Sequence, residues 1–110
     1  MKEVTKQEAD EAKVIAGHLG KLYRSYKKEI EIFEYQNCVA ENYRTYKAES
    51  EFIYLIDVNL RHCSKDTRCI ITHDYLMDSE QDWYRDFYSK STYYRLKRNA
   101  VKEFVDCLNN

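Results

Sequence analysis

The sequence predicts an all-α fold, in which a long N-terminal helical hairpin is followed by a three-helix unit with a helix-turn-helix. The 110 residues include no proline and only two glycines, Gly17 and Gly20, whereas an all-β fold needs many turns built from these residues. Apolar residues make up 44% of the chain, which is enough for one modest core and too much for a disordered chain. Apolar residues that recur three or four positions apart then indicate helices.

The first helix is predicted over residues 3–35. Its apolar residues follow a spacing close to a heptad: Ala12, Ile15, Leu19, Leu22, Tyr26, Ile30 and Phe33. A glycine within a helix costs about 1 kcal/mol relative to alanine, so a bend is expected near Gly17 and Gly20, where another helix can also approach closely. The helix is expected to break between Glu34 and Cys38, which would expose the Cys38 thiol in a turn.

The second helix is predicted over residues 39–62. Its apolar stripe consists of Val39, Tyr43, Tyr46, Ile53, Ile56 and Leu60. Two long helices joined by a short turn predict an antiparallel hairpin over residues 1–62. The stripes can close within one chain or between two chains, as in a homodimer. The tyrosines of this hairpin fit burial in the seam best, although tyrosine is also common at interfaces with partner proteins.

Residues 63–110 form the predicted second unit, packed as one compact domain. A helix over 66–77 follows the start signal Ser64-Lys65-Asp66 and carries Cys69, Ile70, His73 and Leu76 or Met77. A short helix over 80–88, with Ser79 and Asp82 as a capping box, is expected to bury Trp83, Phe87 and one of the two tyrosines Tyr84 and Tyr88. The last helix is predicted over 90–107, and its expected buried face consists of Tyr93, Leu96 or the stem of Lys97, Ala100, Phe104 and Leu108.

Charge is sharply segregated in the C-terminal half, although the whole chain carries only −1. Residues 74–86 contain five acids and one base, whereas residues 89–102 contain five bases and no acid. Arg95, Arg98 and Lys102 share one helical face, and Tyr94 adds a flat side chain that can stack. Ser91 and Thr92 stand in the first turn, where free N–H groups favour an anion such as a phosphate. A short helix, a serine-containing turn and a basic helix are the layout of a helix-turn-helix.

A family resemblance lies in this segment, which reads Tyr88-Ser89-Lys90-Ser91-Thr92-Tyr93-Tyr94-Arg95-Leu96-Lys97-Arg98-Asn99-Ala100. It resembles the recognition helix of sigma-factor region 4 and is similar to small phage late-operon transcription regulators. Upstream, Arg68-Cys69-Ile70-Ile71 resembles the preceding helix of that region, so the resemblance covers about residues 52–108. The resemblance implies that Ser89 caps the recognition helix and that DNA is contacted by Lys90, Ser91, Thr92, Arg95 and Arg98. The first 50 residues do not resemble region 2, so a complete sigma factor is not expected.

The leading hypothesis is a DNA-binding transcription regulator with the helix over 90–107 in the major groove of double-stranded DNA. Arg95 and Arg98 would read guanine edges, while phosphates would be held by Lys90, Ser91, Thr92 and Lys102. The tyrosine-rich hairpin would contact RNA polymerase or another protein, or form a homodimer. The alternative is a helical protein–protein interaction module, such as a phage-type inhibitor or adaptor. It is motivated by the near-zero net charge and by Trp83 and Phe87, which stand where the family has a small residue and a glycine.

Other functional classes are not expected. Enzyme signatures such as a glycine-rich phosphate loop or a Gly-x-Ser-x-Gly turn are absent from the sequence, and no cofactor is implied. The spacings among His62, Cys63, Cys69 and His73 differ from those of structural zinc sites, so no metal is expected. No apolar run approaches 18 residues and the start lacks the apolar core of a signal peptide, which predicts a cytoplasmic protein with reduced cysteines and no membrane partner.

Overall fold

The computed structural model describes residues 3–36 and 42–109, and within these ranges every regular element is helical. The four α-helices are α1 (Lys6–Tyr35), α2 (Tyr43–Arg61), α3 (Lys65–Ile71) and α4 (Lys90–Asn109). A π-helical turn over Thr72–Leu76 extends α3, and a 3-10 turn over Trp83–Asp86 precedes α4. The predicted all-α class is therefore confirmed. The predicted turn position of Cys38 and the place of Val39 in the second stripe lie outside the described residues.

Helices α1 and α2 form the predicted antiparallel hairpin. The Tyr23 hydroxyl donates to Asp57 Oδ1 at 2.8 Å, and the rings of Phe33 and Tyr46 stack with centroids 4.5 Å apart. Residues later in α1 therefore contact residues earlier in α2, so the two helices are antiparallel. At the start of α1, the Thr5 hydroxyl accepts from the Glu8 backbone N–H at 3.1 Å, and the Glu8 carboxylate reaches back to the Thr5 N–H. This capping box satisfies two of the helix's otherwise unpaired donors.

One hydrophobic core joins the hairpin to the C-terminal helices. Its fully buried members come from different helices and include Ala16, Ile71, Val101 and Phe104. A smaller cluster of Ile70, Tyr84, Tyr93 and Ala100 holds the segment before α4 against α3 and α4. Polar contacts add to this packing, since the Ser64 backbone N–H and hydroxyl both donate to Glu103 Oε1, at 3.1 and 3.0 Å. The start of α3 is thereby tied to the middle of α4.

The buried face of α1 differs from the predicted stripe. Its buried residues are Ala9, Ala12, Ala16, Gly20 and Tyr23. Ile15 and Leu22, which were expected in the seam, are 43% and 41% exposed. Small residues on the buried face allow the neighbouring elements to come close, and a Cβ atom at Gly20 would lie 2.5 Å from the Tyr75 carbonyl oxygen. The fold therefore uses only one edge of the apolar stripe.

Helix α2 also departs from its predicted stripe in its N-terminal half, which lies against the end of α1. Tyr43 is 54% exposed, whereas Glu49, which the stripe omits, is buried. Ile56 and Leu60 are buried as predicted. Burial, together with the hydrogen bond and the like charge of Glu29, raises the pKa of Glu49 to about 7. The seam of the hairpin thus contains a carboxyl group that takes up a proton at a higher pH than an ordinary glutamate does.

The helix predicted over 80–88 is not formed, and only the 3-10 turn Trp83–Asp86 takes its place. The predicted capping box is also absent, because no side-chain bond caps this turn and the buried Ser79 hydroxyl has no hydrogen-bond partner within the described residues. Phe87, predicted to be buried, is largely exposed, whereas Tyr84, one of the two tyrosines expected to be buried beside it, is buried. The reason is tertiary: the Trp83 indole N–H donates to Asp74 Oδ1 at 2.7 Å, which fixes this segment against the π-helical turn.

Candidate nucleic-acid interface

The N-terminus of α4 is capped by Ser89. The Ser89 hydroxyl oxygen accepts from the Thr92 backbone N–H at 3.3 Å and donates to the Thr92 hydroxyl at 2.9 Å. The Tyr93 N–H bonds to the Ser89 carbonyl at 2.9 Å, which closes the first turn of the helix. These bonds are typical of a serine N-cap. The Thr92 hydroxyl is part of the cap, because it accepts the hydrogen bond from Ser89. Lys90 and Ser91, beside the cap, are exposed.

The exposed face of α4 carries polar and basic side chains over two turns. Tyr94, Arg95, Arg98 and Asn99 are exposed on adjacent rows of this face, which we call the α4 outer face. Within residues 3–36 and 42–109, neither Arg95 nor Arg98 takes part in an ion pair. Asn99 was not among the predicted contact residues, although its position four residues after Arg95 was a signal that it shares that face.

Two lysines of α4, Lys97 and Lys102, are already paired inside the protein. Lys97 Nζ lies 3.1 Å from Asp74 Oδ2, and its side chain is mostly buried. Lys102 Nζ lies 2.8 Å from Asp106 Oδ1 and 4.0 Å from Glu8 Oε2. The hydrogen bond with Asp106 raises the pKa of the Lys102 ammonium group. The structure therefore separates Lys102, a predicted phosphate contact, from the unpaired arginines earlier in the helix.

Asp74 positions the N-terminal half of α4. Its carboxylate accepts from Trp83 Nε1 at 2.7 Å and from the Tyr93 hydroxyl at 2.5 Å, in addition to its ion pair with Lys97. The rings of Tyr84 and Tyr93 stack with centroids 4.0 Å apart, and this stack packs the segment before α4 against α4. Burial, together with the hydrogen bond to Asp74, raises the pKa of Tyr93 well above its ordinary value. Because three donors converge on the carboxylate of Asp74, whose side chain is only 12% exposed, side-chain contacts hold the orientation of α4.

An open hollow of about 420 Å³ lies beside the two arginines. It is lined by Glu3, Val4, Tyr94, Arg95, Arg98 and Asn99. Glu3 is the acidic residue of this lining, and it lies just before the capping box of α1. The hollow therefore combines aromatic, guanidinium and carboxamide groups, all of which can contact a nucleic-acid base or its phosphate.

The cysteines and histidines of the C-terminal half do not converge on a metal site. Cys63 Sγ lies 3.5 Å from Cys107 Sγ, and the pKa of Cys63 rises to about 12 because of burial and of its contact with Cys107. His73 stacks on Trp83, and its Nδ1 lies 2.9 Å from the Cys69 carbonyl oxygen. Among the described residues, no group of three or more histidine, cysteine, aspartate or glutamate side chains is arranged to hold a metal ion.

Comparison of the chain with protein-family models, with curated proteins and with solved structures returned no match. The resemblance of the α4 segment to sigma-factor region 4 therefore stays a prediction from its residues. In the described part of the chain, none of the helices has the length and the apolar character needed to cross a membrane.

Proposed function

We propose that this protein binds double-stranded DNA through the α4 outer face, with the N-terminal half of α4 in the major groove, and that it regulates transcription. The observation that carries the proposal is the pair Arg95 and Arg98. Both are exposed and have no ion-pair partner in the described ranges, whereas Lys97 and Lys102 of the same helix are paired within the protein. Arginine is the side chain most often used to read guanine, because its guanidinium bonds to both O6 and N7.

The surroundings of these arginines fit the same role. Lys90 and Ser91 are exposed at the capped start of α4, where free backbone N–H groups favour a phosphate. Asp74 and Tyr93 anchor the opposite side of the helix, so that the arginines project from a fixed support. Lys102 and Thr92 are engaged within the protein, and we therefore assign phosphate binding to Lys90 and Ser91 first.

The test is fluorescence anisotropy of a labelled duplex of random sequence, titrated with protein at several salt concentrations. We expect the logarithm of the affinity to fall steeply with the logarithm of the salt concentration. The double variant Arg95→Ala/Arg98→Ala should lose most of the binding and reduce the salt slope by about 2. The matched control is Arg44→Ala/Lys47→Ala, which removes two exposed bases from α2 and the same net charge.

Binding that is equal for the wild type and for the Arg95/Arg98 variant would contradict the proposal. Equal losses in both double variants would also contradict it, because they would reflect net charge alone. If the wild type binds specifically, selection of tight binders from a random duplex pool should enrich a motif that contains guanine. That enrichment should disappear in the Arg95/Arg98 variant.

A second candidate function is protein–protein interaction through the same face. The observation that favours it is the four-residue 3-10 turn Trp83–Asp86, which stands where a helix-turn-helix has the helix that crosses the DNA backbone. In this case the two arginines would pair with carboxylates of an acidic partner protein. Absence of DNA binding at physiological salt, together with co-purification of a protein that the Arg95/Arg98 variant fails to retain, would support this function.

A further inference from the structure

Two cysteines that are 44 residues apart in the sequence lie side by side in the structure. Cys63 comes just after the end of α2, and Cys107 lies in the last turn of α4. Their Sγ atoms are 3.5 Å apart. A disulfide bond is about 2.05 Å long, so the two sulfur atoms need to approach each other by only about 1.5 Å. The two thiols are therefore placed for a disulfide bond between the α2–α3 turn and the end of α4.

Contacts next to this pair hold the two chain segments together while both thiols are free. Ser64, which follows Cys63, donates to Glu103 Oε1 through both its backbone N–H and its hydroxyl. Glu103 stands four residues before Cys107 and shares its side of α4. The Cys63 backbone N–H donates to the Leu60 carbonyl at 3.0 Å. Because the backbone is fixed on both sides of the pair, the remaining approach of the sulfur atoms falls to rotation of the two side chains.

The two thiols differ in their access to solvent, which sets the order in which they react. Cys63 is 5% exposed, and its thiol makes only weak bonds, to the Asn59 carbonyl at 3.4 Å and to Cys107. Burial raises the pKa of Cys63 to about 12, so this group is a protonated thiol near neutral pH and a poor nucleophile. Cys107 is only partly buried. A reagent from solution therefore meets Cys107 first.

We propose that Cys63 and Cys107 form a dithiol site that reacts with a low-molecular-weight disulfide such as oxidised glutathione, and that the resulting reversible disulfide bond locks the end of α4 onto the α2–α3 turn. The site does not depend on DNA binding, because it lies at the opposite end of α4 from Lys90 and Ser91.

The reaction consists of two thiol–disulfide exchanges. The Cys107 thiolate attacks one sulfur of the oxidant, the S–S bond of the oxidant breaks, and the departing thiolate takes up the proton that Cys107 lost. Cys63 then attacks Cys107 Sγ in this mixed disulfide. The bond from Cys107 to the glutathione breaks, and the second glutathione leaves with the proton from Cys63. The protein thereby gives up two electrons and two protons, and one oxidised glutathione becomes two reduced molecules.

Mass spectrometry of the oxidised wild type tests the proposal. The folded protein is incubated with oxidised glutathione, remaining thiols are blocked with iodoacetamide, and the chain is digested with trypsin without reduction. Each of the four cysteines falls in a different tryptic peptide, because a lysine or arginine lies between every two successive cysteines. We expect the peptide 62–65 joined to the peptide 103–110, and we expect dithiothreitol to separate them. The oxidised protein should also melt about 10 °C above the reduced protein, because the bond closes a long loop of the unfolded chain.

Single cysteine variants test the order of the two steps. Cys63→Ser should stop at the mixed disulfide between Cys107 and glutathione, whereas Cys107→Ser should leave Cys63 as a free thiol. Neither variant should melt higher after oxidation. The matched control Cys69→Ser removes another partly buried cysteine and should keep both the joined peptides and the rise in melting temperature. Circular dichroism checks that each variant folds.

Three results would overturn the proposal, and the first and third need only the wild type. They are the absence of the joined peptides after oxidation, a bond that needs Cys69, and melting temperatures that are equal for the oxidised and reduced protein.

Discussion

The backbone of Gly20 lies directly against the carbonyl group of Tyr75, close enough that a Cβ atom at position 20 would meet the Tyr75 oxygen at 2.5 Å. That oxygen belongs to the π-helical turn and accepts a hydrogen bond from Arg24 Nη1 at 3.2 Å. An added methyl group cannot fit without moving this backbone, because the atoms it meets are not the end of a flexible side chain. The contact thus fixes the distance between α1 and the turn that leads towards α4.

Gly20→Ala is therefore expected to lower the free energy of unfolding by about 1–3 kcal/mol, despite the better helix propensity of alanine. Gly17→Ala is the matched control, since a Cβ atom at position 17 would meet nothing within 4 Å. That substitution should stabilise the protein by up to about 1 kcal/mol. Urea denaturation followed by circular dichroism measures both effects, and equal changes in the two variants would refute the close-contact explanation.

Asp74→Asn should destabilise the fold by about 2–4 kcal/mol, because it removes the charge that pairs with the mostly buried Lys97 and places amide hydrogens among hydrogen-bond donors. The control is Asp82→Asn, whose ion pair with Arg85 spans 3.8 Å between exposed side chains. Its removal should change stability by less than about 0.5 kcal/mol. Urea titrations followed by circular dichroism compare the two, and a small effect at Asp74 would show that the buried carboxylate does not hold α4 in place.

Stability should fall with rising pH because of Glu49. Its folded-state pKa of about 7 exceeds the ordinary value of 4.5, so between these values the folded state binds more protons than the unfolded state. Glu49→Gln mimics the protonated group, and its advantage over the wild type should grow by roughly 1–2 kcal/mol from about pH 5 to about pH 8. The exposed Glu51→Gln should show no such growth. Thermal melts across this pH range measure the stability of each variant. If the stability of the wild type and of Glu49→Gln changed with pH in the same way, the raised pKa of Glu49 would be rejected.

The Ser89 cap should contribute measurable stability to α4. Ser89→Ala removes the acceptor for the Thr92 N–H and should cost about 1 kcal/mol. Ser91→Ala, two residues later on the exposed surface, should change stability by less than about 0.5 kcal/mol. Chemical denaturation separates the two cases. Similar costs for both substitutions would mean that the helix start does not depend on the cap.

Several elements could be predicted from local sequence because their causes are local. The absence of proline and the three-to-four spacing of apolar residues led to the all-α class and to helices close to the observed α1, α2 and α4. Ser64 and Ser89 mark helix starts through bonds to backbone groups three residues ahead, which depend on neighbouring residues alone. The short link between α1 and α2 made the antiparallel hairpin the expected arrangement.

The candidate interface was only partly predictable. The segregation of charge indicated that α4 is the basic helix, and the spacing of Arg95 and Arg98 placed them on one face. Lys102 pairs most closely with Asp106, four residues later on the same helix, which the spacing alone could have indicated. The pairing of Lys97 with Asp74 joins residues that are distant in sequence, and so it could not be read from α4 itself. The same holds for the segment 80–88, where the bond between Trp83 and Asp74 outweighs local helix signals.

The sequence by itself determined the helical class, the helix starts and the existence of an apolar stripe on α1, because these follow from backbone hydrogen bonding and from periodicity. Only the tertiary structure decided which edge of that stripe is buried. The edge with Ala12 is buried, whereas Ile15 and Leu22 are partly exposed. The physical reason is that α1 packs against α2, α4 and the π-helical turn at once, and the directions of these contacts depend on residues that are distant in sequence. The small residues of α1, such as Ala16 and Gly20, allow close packing on one side, and that close packing turns the larger side chains outwards.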